Sequence, residues 1–186
     1  MSIESDVTSV LRMGPVALIS FRIDNIAVNK AQMESVAQAI ERKDIAIEVA
    51  KTGGLLGAAY SSFTSRRWIP GEKKLIGRIT LGSVNVVKTP LGKAAIFHES
   101  VHALMDVTGS KPTMQNDEVV AYIADALYLR ATKTTISADP LEMAIFNAAF
   151  GLVDRHNMLA KPGVSLTWQN CDALRDAIKA HPAYHG

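Results

Sequence analysis

Residues 29–43, NKAQMESVAQAIERK, place Met33, Val36, Ala37 and Ile40 three or four positions apart, with polar side chains between them. That is the period of a helix with one buried stripe, and Asn29 stands where its side chain can cap the first turn. The pattern differs on either side. VALISFRI (16–23) and IAIEVAK (45–51) are short and rich in β-branched residues, and they read as strands. LLGAAYSSF (55–63), behind Gly53-Gly54, is a further strand candidate. KLIGRITLGSVNVV (74–87) is the strongest, bent where Gly77 and Gly82 interrupt it.

From residue 90 onward the spacing is helical. LGKAAIFHESVHALMDVTG (91–109) starts after Pro90 and stops at Gly109. MQNDEVVAYIADALYLRATK (114–133) follows a short Gly-Ser-Lys-Pro connection. PLEMAIFNAAFGLVDRHN (140–157) opens with Asp139 as cap and Pro140 at the first helical position. TWQNCDALRDAIKAH (167–181) ends before Pro182. Strands come first and helices second, which predicts an α+β fold. The expected organisation is one domain over 1–186, mixed helix and strand over 1–90 and helical over 91–186. The simplest assembly runs helix–strand–strand–strand–helix, with the 91–109 helix packed on a small mixed sheet. There is no internal repeat and no low-complexity tract.

Composition narrows the function classes. The 186 residues are 48% apolar and 20% charged, enough for one packed core. A formal charge of +2 gives no argument for a nucleic-acid partner. The densest positive stretch, SRRWIPGEKK (65–74), contains Pro70 and Gly71 and reads as a solvated loop. A single cysteine, Cys171, excludes an intrachain disulfide and fits a reducing compartment. No apolar run approaches the length of a membrane span, and the N-terminus has acids where a secretory signal carries Lys or Arg. The expected location is cytoplasmic, or outside the cell by a route that needs no classical signal.

Within FHESVHA (97–103), His98, Glu99 and His102 spell H-E-x-x-H. On a helix, residues four apart project about 40° from each other. Both imidazoles then share a face, one turn apart, and two ring nitrogens can reach one metal ion. Glu99 lies on that side too, placed to touch a water at the ion without displacing it. Spacing alone is weak, since chance matches are plentiful across many proteins. The surroundings add to it. Between Lys93 and Asp106 the only formally charged side chain is Glu99, so this helix is apolar nearly all round and expected to be buried. A buried carboxylate needs compensation, which two histidines and a divalent cation would provide.

A catalytic zinc site needs a third protein ligand and one open position. A histidine six residues after the motif is absent, because Thr108 stands there. Glu118, near the start of the next helix, can be brought back to the histidines by the turn through Lys111-Pro112. Small Ala121 would allow close helix approach, and Tyr122 and Asp125 continue the face of Glu118.

HESVH, a short connection and EVVAY together resemble the gluzincin class of zinc metallopeptidases, in which a glutamate on a following helix completes the metal site. The resemblance covers residues 91–130 and implies a zincin-like fold. It implies that His98, His102 and Glu118 ligate Zn2+ and that Glu99 is the general base. The chain departs from that class in carrying Tyr122 where many members have a ligand-orienting Asp. Either the orienting role falls to Asp106 or Asp125, or the site is built differently from that class. Tyr122, Tyr60, Tyr128 and His156 are candidates for stabilising the oxyanion.

The expected activity is hydrolysis of a peptide bond, with a protein or peptide as substrate. The 74–87 strand is expected to serve as an edge on which an extended substrate pairs. Two alternatives share the residues: a zinc hydrolase of a non-protein amide or ester, and a non-catalytic zincin-like module that binds a partner. The presence of Glu99 weighs against the latter, since a purely structural zinc site needs no base. With about ninety residues before the motif helix, no pro-segment is expected. Restraint would come from narrow specificity or a regulatory or inhibitory partner, as fits an effector toxin or a regulatory protease.

Overall fold

The computed structural model describes residues 2–52, 57–63 and 75–184. Among them are six α-helices and six short strands, a mixed α+β architecture as the order of elements predicts. Helix α1 (Ile3–Arg12) is capped by Ser2 and buries Val7 and Leu11. It lies against α2 (Lys30–Glu41), capped by Asn29 as expected, and Arg12 joins them by pairing with Glu34 and Glu41. The helix α1 is an addition to the expected elements. Its apolar positions Ile3, Val7, Val10 and Leu11 carry the helical period, which was legible in the sequence.

Two small sheets flank the helices. The first holds β1 (Phe21–Ile23), β2 (Ile26–Val28) and β6 (Val164–Leu166) in the order β2-β1-β6. The expected strand over 16–23 is therefore only half a strand. Gly14–Ala17, with Pro15 near its start, forms a 3-10 turn instead. The second sheet holds β3 (Ile45–Val49), β4 (Ala58–Ser62) and β5 (Gly77–Leu81) in the order β3-β5-β4. β5 runs parallel to β3 and antiparallel to β4, so the sheet is mixed. The strand expected over 74–87 is cut to its middle, because the chain turns after Leu81 into a short 3-10 segment, Val86–Lys88. The basic stretch 65–74 lies outside the described residues.

The sequence α2-β3-β4-β5-α3 forms the predicted helix–strand–strand–strand–helix unit. Helix α3 (Pro90–Thr108) begins with the Thr89 hydroxyl accepting the Gly92 N–H and ends at Gly109, whose φ of 70° gives the left-handed cap. It is apolar on most sides and carries ten buried residues, among them Phe97 and Leu104. Helix α4 (Met114–Ala131) packs antiparallel to it after a tight connection and is equally buried. Helix α5 (Pro140–Arg155) follows with Asp139 capping, and α6 (Asp172–Ala180) completes the layer behind a 3-10 turn over Trp168–Cys171. The start of α4 is tied to α6 where Arg175 donates to the Asn116 side chain at 3.0 Å. No helix among the described residues is long and apolar enough to cross a membrane.

Candidate metal centre

One stripe of α3 faces a cavity of about 640 Å³: Ala95, His98, Glu99, His102, Met105 and Asp106 line it at successive helical turns. The opposite wall is the first half of α4, with Asp117, Glu118, Tyr122 and Asp125. Strand β4 closes a third side through Ala58, Ala59, Tyr60 and Ser62. The helix placement follows from packing. Two helices apolar on nearly every side bury each other, and their few polar residues are then confined to the seam that opens into the cavity.

In that seam the two histidine Nε2 atoms converge on one carboxylate. His98 Nε2 lies 3.5 Å from Glu118 Oε2 and His102 Nε2 lies 3.7 Å from Glu118 Oε1. Both separations are too long for good hydrogen bonds. Glu118 Oε2 is buried and has no hydrogen-bond partner. Two donors on a tetrahedral ion with bonds of 2.0–2.1 Å stand about 3.3 Å apart. The observed gaps are close to that edge, and one ligand atom from each of His98, His102 and Glu118 lies within 4.8 Å of the others. These three residues form a group that can hold a metal ion.

The other face of each ring is also held. His98 Nδ1 donates to Asp125 Oδ2 at 2.7 Å, and His102 Nδ1 contacts Asp117 Oδ1 at 3.0 Å. The His98 contact favours the tautomer that leaves Nε2 free to bind a metal, whereas the His102 approach is an ion-pair distance without hydrogen-bond geometry. The edge of Tyr122 packs against His98 with ring centroids 5.0 Å apart, fixing the ring plane. Of the two aspartates expected in the orienting role, Asp125 is hydrogen-bonded to His98. Asp106 is not, since it accepts a 2.8 Å hydrogen bond from the Tyr60 hydroxyl. Asp117 was missed. Its position beside Glu118 puts it about 100° around the helix, which a reading by i+4 spacing does not select. Glu118 is not the helix cap either, because the Thr113 side chain fills that role for α4.

Electrostatics without an ion follow from this layout. Burial opposes a charged His98, but Asp125, Glu118 and Glu99 outweigh it and hold the ring well above its ordinary value. Burial opposes charge on His102 as well; Asp117 raises it, against repulsion from His98. Burial works against the Glu118 anion, yet the two histidines keep it below the usual carboxylate range. Burial pushes Asp125 up despite His98. A proton on the imidazoles therefore plays the part of a cation between these acids.

Glu99 is half-buried, lines the cavity and has no hydrogen bond or ion pair among the described residues. Its neighbour across the cavity is a tyrosine pair: the Tyr122 and Tyr184 hydroxyls lie 2.7 Å apart. Burial raises both phenols, Tyr184 to about 12. Tyr184 is a second residue the sequence reading missed, since it sits in a 3-10 turn (Pro182–Tyr184) with no periodicity to mark it. His156 and Tyr128 are not brought to the site. His156 caps the C-terminal end of α5, and Tyr128 is buried against Phe97; neither lines the cavity. Comparison of the chain with protein-family models, curated proteins and solved structures returns no match.

Proposed function

We propose that this protein is a zinc-dependent peptidase of the gluzincin kind, with His98, His102 and Glu118 as metal ligands and Glu99 as general base. The observation that carries the reading is the approach of two Nε2 atoms to the two oxygens of one Glu118 carboxylate, whose Oε2 is buried without a hydrogen-bond partner, with His98 Nδ1 held by Asp125. An internal polar cluster gains nothing from leaving that oxygen unpaired.

A zinc ion in this group supplies Lewis acidity toward a carbonyl oxygen and toward water. The chain's residues do the rest. Glu99 takes one proton from water as its oxygen bonds to the peptide carbon, and returns that proton to the nitrogen as the C–N bond breaks. A carboxylic acid and an amine result, which exchange one proton to leave as carboxylate and ammonium. The Tyr122–Tyr184 pair shares one hydroxyl proton internally, which leaves the second for the oxyanion that develops on the carbonyl. Tyr60 is a poorer donor because its proton is committed to Asp106.

The strand edge open to a substrate differs from the one first expected. β5, within 74–87, is the central strand and pairs on both sides. β4 has one strand neighbour among the described residues and lines the cavity, so an extended peptide pairs along it.

The test is elemental analysis of protein purified without added metal, comparing wild type with His98→Ala and Glu118→Ala. About one zinc per chain in wild type, lost in both variants, is the expected result. Glu99→Gln should keep the metal and lose peptide hydrolysis by about 100-fold or more. A wild-type protein that takes up no zinc when it is offered rules the reading out.

A further inference from the structure

The cavity has more acid than the hydrolase reading uses. Among the described residues its formal anions are Glu99, Asp106, Asp117, Glu118, Asp125 and Glu142, and its one lysine or arginine among those residues is Lys111. A divalent ion and Lys111 would offset half of these. Glu118 is committed to the metal group, Asp125 and Asp117 to the histidines, Asp106 to Tyr60, and Glu99 faces the reacting atoms. Glu142 is left over.

Glu142 sits in the first turn of α5, its side chain in the cavity wall and the residue only 4% exposed. Its Oε1 is buried with no hydrogen-bond partner. Phe146, one turn further along α5, lines the same wall and packs edge-on against Tyr122 with centroids 5.3 Å apart. Burial pushes the carboxyl up, with Asp139 and Asp125 adding to it; His181 pulls the other way. His181 makes no hydrogen bond or ion pair with Glu142 among the described residues; its Nδ1 accepts the Ala183 N–H at 3.3 Å. A carboxylate held dry at the edge of a negative cavity is costly unless a cation arrives with the ligand.

We propose that Glu142 receives a primary ammonium group of the substrate, so that the site takes peptides or amides presenting a free amine near the scissile bond. The identity of the ligand as a substrate rests on the hydrolase reading. Binding of the amine does not. Two sources share the chemistry: the α-ammonium of a peptide N-terminus and the ε-ammonium of a lysine side chain.

Calorimetric titration of the zinc-equilibrated full chain with leucinamide, N-acetyl-lysinamide and N-acetyl-leucinamide tests this. One of the two amines should bind at least about tenfold tighter than N-acetyl-leucinamide, the contribution of a charge-assisted hydrogen bond. The amine that does so identifies the source. Glu142→Gln should erase the preference while metal content and melting temperature stay as in wild type. Equal binding of amine and acetylated ligand, or no binding by any of the three, overturns the proposal in wild type without recourse to a variant. A preference that survives in Glu142→Gln also overturns it, because the amine then sits on the metal. Metal content measured on the same samples reports separately on the zinc reading.

Discussion

His98 Nδ1 and Asp125 Oδ2 are 2.7 Å apart across the α3–α4 seam, though 27 positions separate them in the chain. Asp125 is 1% exposed at its side chain, and the contact turns the opposite nitrogen of His98 toward Glu118. Outer partners of this sort orient ligand histidines and raise their basicity. Asp125→Asn keeps an acceptor but removes the charge, and zinc affinity should fall about 10–100-fold. Competition against a chromogenic chelator measures it.

Asp117 Oδ1 lies 3.0 Å from His102 Nδ1 without making a hydrogen bond, and its side chain is 28% exposed. Water screens that contact and can replace it in part. Asp117→Asn should therefore weaken zinc by a smaller factor than Asp125→Asn in the same chelator competition. An equal or larger loss would show that His102, not His98, is the ligand whose orientation limits affinity.

The metal-free protein should grow less stable as pH rises. The folded-state value of His98 lies well above its ordinary value of 6.5, with burial opposing and Asp125 prevailing. A group raised on folding stabilises fully below its unfolded value, and that contribution is lost as pH climbs through the folded one. The raised His102 adds in the same direction. Glu118 acts oppositely: lowered on folding, it stabilises above its ordinary 4.5 and loses that contribution as pH falls through the depressed value. Melting temperatures of chelator-treated protein should thus be highest between these limits and decline into the alkaline range. Zinc, which competes with those protons, should remove most of the alkaline decline and release protons on binding.

Gly92 carries the approach of the site helix to the turn before it. A Cβ at Gly92 would lie 2.0 Å from the Val86 carbonyl oxygen, a backbone atom that cannot swing aside. Gly92→Ala should cost about 1–3 kcal/mol by overpacking. Gly151, exposed in α5, has nothing within 4 Å of the point a Cβ would occupy, so Gly151→Ala should stabilise by about 0.5–1 kcal/mol. Urea denaturation of the pair reads both signs in one experiment.

How much of this could be read beforehand differs by element. α2, α3, α4 and α5 were legible because their apolar periods and caps, Asn29, Pro90, Gly109 and Asp139, agree with one another. β2 and β6 were not, since three-residue strands carry too few positions to show alternation, and β6 exists through parallel pairing with β1 some 140 positions earlier. The shared face of His98 and His102 was legible because a helix alone puts residues four apart on one side. Asp117, Tyr184 and Glu142 were not, because nothing local marks them.

The sequence by itself determined the two apolar helices, the turn that folds one back on the other, and the polar residues each would have to bury. Local spacing and burial decide those. Only the tertiary structure decided which acid meets which ring, that Tyr60 takes Asp106 away from the histidines, that β4 rather than β5 is the edge at the cavity among the described residues, and that Glu142 is brought in from α5. These depend on how far each helix is rotated and slid against its neighbour. That is set by the whole packed core, in which a rotation of one residue exchanges Glu118 for Asp117.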